Sequence, residues 1–194
     1  MAGDGQDLKQ TKNVYSVWGV PPEDVAARLR KVMAELRSEF NGPKFEPHVT
    51  VVGSISLTEN EALEKFRNAC AGVRRYQGVV DHVAIGTFFY QCVFLLLHPT
   101  SEVMTASAHC CEHFGYKTTT PYMPHLSLLY GDLSDTEKRK AQERVNILHE
   151  TINELSFEIS RLELWKTDTG DSSLDSWERV ADFCLEPSSA VSSS

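Results

Sequence analysis

The stretch Phe45-Glu46-Pro47-His48-Val49-Thr50-Val51 recurs in pattern as Tyr122-Met123-Pro124-His125-Leu126-Ser127-Leu128, 77 residues further along the chain. Both copies read aromatic, any residue, proline, histidine, aliphatic, hydroxyl, aliphatic. A β-strand places side chains i and i+2 on one face, so the histidine and the hydroxyl of each copy are predicted to project together. The aliphatic residues between them are predicted to face a core. Each strand therefore combines a polar face with a packing face.

The elements around these two stretches also repeat. Helices are predicted over residues 22–40, 58–70, 100–113 and 134–150, and the second and fourth begin at the capping boxes Thr58–Glu61 and Ser134–Glu137. The predicted strands are 14–18, 48–52, 77–90, 91–97, 125–130, 156–165 and 177–185. The order is β-α-β-α-β followed by β-α-β-α-β-β, which predicts an α+β fold built from a duplicated β-α-β-α unit. We expect one two-lobed domain over residues 13–186, between disordered tails at 1–12 and 187–194.

Composition limits the function classes. The chain has 194 residues and a formal net charge of −8, which argues against a protein that grips long nucleic acid through many phosphates. Its longest apolar stretch, residues 92–97, is too short to span a membrane. The N-terminus lacks an apolar signal core, and the five cysteines show no disulfide spacing. We therefore expect a cytoplasmic, monomeric protein with no membrane partner.

Two imidazoles and two hydroxyls form a recognisable chemical set. One of His48 and His125 can take a proton from water while the other gives one to a departing alkoxide. The hydroxyls of Thr50 and Ser127 can hydrogen-bond the non-bridging oxygens of a phosphoryl group. This set needs no metal and no cofactor, because an imidazolium supplies positive charge. A strained cyclic phosphodiester is the substrate that suits so compact a site.

These residues carry a resemblance to a known family. The two His-x-Thr/Ser-x tetrapeptides resemble those of the two-histidine (2H) phosphoesterase superfamily. The longer stretches 15–18, 87–89 with 91–94, and 118–130 resemble the plant cyclic phosphodiesterases within it. The similarity runs from about Val14 to Leu185. It implies a bilobal fold with two antiparallel sheets around a central cleft and helices outside.

The resemblance also implies an activity. Members hydrolyse ADP-ribose 1″,2″-cyclic phosphate to ADP-ribose 1″-phosphate, in the metabolism of tRNA-splicing by-products, and open nucleoside 2′,3′-cyclic phosphates to 2′-phosphates. The expected partner is thus a small cyclic phosphate nucleotide. Carried over by position, His48 and His125 are the acid/base pair and Thr50 and Ser127 hold the phosphate. We take His125 as the base and His48 as the acid, although the repeat makes the two roles nearly interchangeable.

Three aromatic residues complete the expected site. Tyr130 matches a tyrosine of the family that contacts substrate, but strand alternation would put it on the face opposite His125. That role therefore requires a bend or bulge at the strand end. Trp18 and Tyr90 match positions where aromatic rings can stack a base. Tyr90 stands where a phenylalanine is expected, which keeps the ring and adds a hydroxyl.

Two alternatives remain open at this point. A 2′,5′-phosphodiesterase or an RNA-end-processing enzyme could use the same scaffold. From another class, His109 and His113 share a helix face at i, i+4 and could bind zinc in an interaction module. The Cys-x2-Cys spacing and a second pair of ligands are not evident, which favours a structural role for these histidines.

Overall fold

The computed structural model describes residues 11–189. The helices are α1 (Glu23–Phe40), α2 (Glu59–Ala71), α3 (Ser101–Phe114) and α4 (Asp135–Leu148), followed by a short 3-10 helix at Glu150–Glu154. The strands are β1 (Lys12–Val20), β2 (Val49–Thr58), β3 (Tyr76–Phe88), β4 (Gln91–Leu97), β5 (His125–Leu129), β6 (Ser156–Ile159), β7 (Arg161–Lys166) and β8 (Glu178–Cys184). β1 thus already begins at Lys12. Most of the two predicted tails, residues 1–10 and 190–194, lies outside the described residues.

The helix starts follow the local sequence. The Glu61 amide donates to Thr58 Oγ1 over 3.3 Å while the Glu61 carboxylate accepts from the Thr58 amide over 2.8 Å, which completes the predicted capping box of α2. Ser134 and Glu137 make the same reciprocal pair at the start of α4. Both boxes satisfy amides that a helix start leaves unpaired. Within residues 11–189, no helix combines the length and apolar character needed to cross a membrane.

The strands form one antiparallel sheet of eight strands, in the order β6-β3-β4-β5-β2-β1-β7-β8, which curls into a half-barrel. The α+β class is confirmed, but the prediction of two separate sheets is wrong. The physical reason lies at the centre, where Val49 of β2 pairs with Leu126 of β5. This pairing joins the two repeated strands directly and makes the sheet continuous.

Each half of the sheet contains strands from both sequence copies. β3, from the first copy, pairs with β4 and β6, whereas β7 pairs with β1. The strand predicted over residues 156–165 is therefore two strands, separated at Ser160, that lie on opposite sides of the central pair β2 and β5. We name the set β2, β1, β7 and β8 the His48 half, and the set β5, β4, β3 and β6 the His125 half.

Packing under the sheet confirms the predicted two-faced strands. The aliphatic residues that flank the hydroxyls, Val49, Val51, Leu126 and Leu128, are at most 2% exposed and belong to the main apolar core. α1 packs against β5 and α4, while α3 packs against β2 and α2. Burial of the four aliphatic side chains removes apolar surface from water on the side of the sheet that the helices cover. The polar members of both motifs are thereby left for the other, concave face.

Candidate active site

The register of the two central strands brings the four predicted polar groups together. Because Val49 lies opposite Leu126 in an antiparallel pair, His48 lies opposite Ser127 and Thr50 lies opposite His125. Directly opposed residues of such a pair have Cβ atoms about 5 Å apart. The concave face therefore presents two imidazoles and two hydroxyls in a crosswise arrangement around one point.

Both imidazoles are oriented by the same backbone contact. His48 Nδ1 lies 2.7 Å from the carbonyl oxygen of Glu46, and His125 Nδ1 lies 2.8 Å from that of Met123. A carbonyl oxygen only accepts, so each Nδ1 carries the hydrogen and donates it. Nε2 is then the free nitrogen of each ring, an acceptor when the imidazole is neutral and a donor when it is charged.

An aromatic ring on the adjoining strand packs against each histidine. Trp18 pairs with Thr50 across β1 and β2, as Phe94 pairs with Ser127 across β4 and β5. The Trp18 ring stacks on His48 with centroids 3.5 Å apart and planes 5° from parallel. Phe94 meets His125 edge-on, at 5.1 Å and 63°. The two contacts occupy equivalent places and have different geometries.

A second indole covers the outer face of Trp18. Trp165 stacks on it at 4.3 Å and 19°, and because β1 lies between β2 and β7, Trp165 and His48 occupy opposite faces of the ring. Both faces of Trp18 are thus covered, and its side chain is only 2% exposed. The base-stacking role predicted for Trp18 stays a prediction, and its contact in this structure is with His48.

Burial makes the two histidines electrostatically unequal. His48 is only 4% exposed, whereas His125 is partly exposed. Burial lowers the pKa of His48 to about 3, against the hydrogen bond to Glu46, and the nearby His125 adds to the lowering. Burial also lowers the pKa of His125, against its hydrogen bond to Met123. In the free protein both rings are neutral near pH 7, and His48 is the harder one to protonate.

Tyr130 lies among the aromatic side chains of the site because β5 contains the bulge that its predicted role requires. Phe94 pairs with Ser127 but the adjacent Val93 pairs with Leu129, so β5 has one residue more than β4 at this point. The Tyr130 ring stacks on Phe45 at 3.8 Å and 10°. Burial raises the pKa of its phenol, which keeps the hydroxyl protonated. The expected bulge is confirmed, and contact with substrate stays a prediction.

Tyr90 ties the turn between β3 and β4 to the loop between β7 and β8. Its hydroxyl donates to the carbonyl of Thr169 over 2.8 Å, and its carbonyl accepts from Ser127 Oγ over 3.3 Å. Its ring stacks with Trp177 at 5.9 Å and 19°. The hydroxyl that distinguishes Tyr90 from a phenylalanine therefore anchors this loop beside the site.

The structure adds two tryptophans that the sequence analysis did not select. Trp165 and Trp177 line a cavity of about 170 Å³ next to Trp18, together with Lys44, Phe45, Glu46 and Leu174. All three tryptophans of the chain thus meet at this place. The available signal is the position of Trp165 at the end of one predicted strand and Trp177 at the start of the next, because a connection between neighbouring strands brings such residues close.

The histidine pair on α3 lacks the partners of a metal site. The rings of His109 and His113 lie 4.6 Å apart, and His109 Nε2 is 3.1 Å from the carbonyl oxygen of Ala69. Across residues 11–189, no three or more His, Cys, Asp or Glu side chains are arranged to hold a metal ion. The zinc-module alternative therefore has no ligand set in this part of the chain.

Comparison with known proteins agrees with this geometry. Residues 14–187 match the family described as "Cyclic phosphodiesterase-like protein". The chain belongs to this family. It is 54% identical to the cyclic phosphodiesterase of Arabidopsis thaliana over 176 residues, which cover 91% of this chain and 97% of that protein. The chain is accordingly a cyclic phosphodiesterase, which is a hydrolase of phosphodiester bonds.

A more distant sequence relative and a solved structure were also matched. A 2′,3′-cyclic-nucleotide 3′-phosphodiesterase of Yarrowia lipolytica is 22% identical over 173 residues, or 67% of this chain and 80% of that protein. The crystal structure of E. coli LigT complexed with 3′-AMP superposes with a TM-score of 0.61 at 12% identity, over 90% of this chain and 98% of that one. The chain therefore has the LigT-like 2H phosphoesterase fold.

Proposed function

We propose that this enzyme hydrolyses ADP-ribose 1″,2″-cyclic phosphate to ADP-ribose 1″-phosphate, and nucleoside 2′,3′-cyclic phosphates to 2′-phosphates, without a metal ion. The observation that carries the proposal is the matched pair of Nδ1–carbonyl hydrogen bonds, which leaves Nε2 free on both histidines. The complex of E. coli LigT with 3′-AMP and the activity named for the Yarrowia relative support a nucleotide substrate. We further propose that the enzyme is a cytoplasmic monomer and that it acts in the metabolism of tRNA-splicing by-products.

The reaction is an in-line displacement at phosphorus. One neutral imidazole removes a proton from water as the water oxygen bonds to phosphorus. The bond from phosphorus to one ribose oxygen breaks, and the opposite imidazolium gives that oxygen its proton. Thr50 and Ser127 donate hydrogen bonds to the non-bridging oxygens, where negative charge accumulates in the transition state.

We propose the reverse of the two roles taken from the sequence, and the difference in pKa between the two histidines supports this order. A base must be neutral before the reaction, and His48 has the strongly lowered pKa. An acid must be protonated, and the partly exposed His125 takes up a proton more readily, the more so beside a phosphate anion. We therefore assign His48 as the base and His125 as the acid.

The aromatic cavity provides a place for the base of the substrate. Trp177 and Tyr90 stack with each other beside it, and Phe45 and Tyr130 form a second stacked pair. Flat aromatic surfaces bind every base through its π-face and distinguish bases only weakly. We expect broad tolerance for the base, with Tyr90 among its contacts.

The test is turnover of adenosine 2′,3′-cyclic phosphate in excess EDTA, with the product identified by phosphorus NMR. We expect full activity and adenosine 2′-phosphate as the product. Activity that is lost to the chelator and restored by zinc would contradict the mechanism. Hydrolysis of 2′-5′-linked oligonucleotides without opening of the cyclic compounds would favour the alternative enzyme class.

A further inference from the structure

We propose that the concave face contains a second anion subsite, formed by Arg161 and Arg179, that binds a further phosphate or pyrophosphate group of the substrate. The proposal rests on the proposed function, because it assumes that the reacting phosphate lies between His48 and His125. It concerns the part of the substrate that does not react. It therefore predicts which cyclic phosphates bind best.

The register places both arginines on the same face as the catalytic groups. Thr50 pairs with Trp18, and Trp18 with Glu163, so these three side chains lie in one row across the sheet. Arg161 projects with Glu163 because it is two residues away on β7, and Arg179 on β8 pairs with Trp165. Strands lie about 4.8 Å apart, which puts β7 and β8 about 10 and 14 Å from β2.

A buried carboxylate fixes the two guanidinium groups. Glu163 is 4% exposed, and its Oε1 lies 3.2 Å from a terminal nitrogen of Arg161 and of Arg179. Its Oε2 accepts from the indole N–H of Trp165 over 2.8 Å. One carboxylate between two guanidinium groups leaves a net positive charge. Each guanidinium has five N–H donors and is about half exposed, so donors remain for a ligand.

The third arginine nearby does not add to this charge. Arg30 donates to Glu23 over 2.7 Å and to Glu46 over 2.8 Å, so this trio of one guanidinium and two carboxylates has one net negative charge. It offsets the net positive charge of the trio around Glu163. Among the other groups on this side, the exposed Asp182 pairs with Glu163 on the edge strand and lowers the local potential. The attraction for an anion therefore depends on hydrogen bonds from Arg161 and Arg179 at close range.

The cavity at the arginines lies next to the aromatic cavity beside Trp18. Arg161 and Arg179 line a cavity of about 350 Å³ that shares Glu46 and Trp165 with the aromatic cavity. Glu46 also supplies the carbonyl that orients His48. We infer that a ligand held at the histidines places its distal phosphate against the guanidinium groups, which bind phosphate oxygens in a bidentate manner.

The geometry selects substrates that carry two separated phosphate groups. A ribose with a cyclic phosphate at one end and a 5′-phosphate or 5′-pyrophosphate at the other has this form. ADP-ribose cyclic phosphate belongs to this class, whereas a plain nucleoside 2′,3′-cyclic phosphate does not. The subsite therefore predicts a preference for the former through binding affinity.

The test compares binding of adenosine 2′-phosphate and adenosine 2′,5′-bisphosphate by titration calorimetry. For the unmodified enzyme we expect at least tenfold tighter binding of the bisphosphate, as charge-assisted hydrogen bonds give. Arg161→Gln and Arg179→Gln should each reduce this advantage by at least threefold, and each leaves Glu163 one guanidinium partner. Arg139→Gln, on the exposed side of α4, is the matched control and should keep the advantage. Added salt should reduce the advantage as well.

Equal affinity of the unmodified enzyme for the two ligands would overturn the subsite. So would an equal loss of affinity for both ligands in the arginine variants, because it would mean that the arginines act only by holding Glu163 and Trp165. Turnover of adenosine 2′,3′-cyclic phosphate in the same preparations tests the proposed function separately. Arginine-dependent binding of the bisphosphate without turnover would reject that function and keep the subsite.

Discussion

The His48 half and the His125 half carry the same reactive groups in different surroundings. In both, a histidine donates through Nδ1 to the carbonyl two residues earlier, and an aromatic residue lies on the adjoining strand. In the His48 half that residue is Trp18, stacked flat on the imidazole and backed by a second indole. In the His125 half it is Phe94, which meets the imidazole by its edge.

This difference in packing gives the two repeated histidines different exposure to water. The flat stack covers one face of the His48 ring and leaves the side chain almost fully buried, which disfavours its charged form. The edge contact leaves His125 partly exposed, so that it can hold a proton at lower cost in free energy. The repeat provides two equivalent imidazoles, and the packing around them gives them different pKa values, on which the proposed roles of base and acid rest.

The largest expected effect comes from removal of either imidazole. His48→Ala and His125→Ala should each lower kcat for a 2′,3′-cyclic nucleotide by about 10²–10⁴-fold, the usual contribution of a general acid or base. Steady-state kinetics on folded variants, checked by circular dichroism, measures this loss. Near-normal activity in either variant would reject the two-histidine mechanism.

A change of leaving group separates the two roles. In a cyclic substrate whose departing oxygen is replaced by sulfur, the leaving thiolate needs no acid. The defect of His125→Ala should therefore shrink by about 10²-fold with this substrate, whereas that of His48→Ala should stay. The reverse pattern would mean that His48 is the acid, as taken from the sequence. The sulfur substrate with unmodified enzyme is the control.

Local patterns in the sequence were sufficient to predict which side chains of the two motifs share a face, but not which other side chains surround them. Alternation within residues 48–51 and 125–128 predicts the polar and packing faces, because that information lies in neighbouring residues. The position of Trp165 beside Trp18 depends on the pairing of β7 with β1, and these strands are distant in the sequence. Periodicity does not encode which strand becomes a neighbour. The single sheet was missed for the same reason, since it depends on the pairing of Val49 with Leu126.

The unequal burial should also appear in the pH dependence of stability. The pKa of His48 falls from about 6.5 in the unfolded chain to about 3 in the fold, so between these values the unfolded state binds the extra proton. The free energy of unfolding should therefore decrease as the pH is lowered through this window, by about 2 kcal/mol from pH 7 to pH 5. Urea denaturation at both pH values measures it.

Matched variants assign that pH dependence to one ring. His48→Asn keeps a donor near the position of Nδ1 but does not titrate, so it should lose most of the decrease. His125→Asn should lose less, because the pKa of His125 is less strongly lowered. If His125→Asn flattened the pH dependence more than His48→Asn, the difference between the two halves would be contradicted.

The two hydroxyls should differ by a smaller amount. In the folded protein Ser127 Oγ donates to the carbonyl of Tyr90, and it must give up this bond to bind phosphate. Among residues 11–189 no such bond is found for the Thr50 hydroxyl. A bond to phosphate contributes about 1.5–3 kcal/mol, and Ser127 loses about 1 kcal/mol of this in the exchange. We expect Thr50→Val to lower kcat/KM by about 10–100-fold and Ser127→Ala by about 3–20-fold. Equal losses would contradict this difference.

The smallest expected effect lies where the two copies are alike. Thr58 and Ser134 cap α2 and α4 through the same reciprocal bonds, with amide-to-hydroxyl distances of 3.3 Å in both. Thr58 also ends β2, where it pairs with Lys12, and Ser134 lies outside the strands, but each hydroxyl accepts from the same helix-start amide. Thr58→Ala and Ser134→Ala should therefore each lower the free energy of unfolding by about 1 kcal/mol and leave kcat unchanged. A loss of kcat in only one variant would mean that the inequality of the two halves extends beyond the aromatic surroundings of the histidines to the helices.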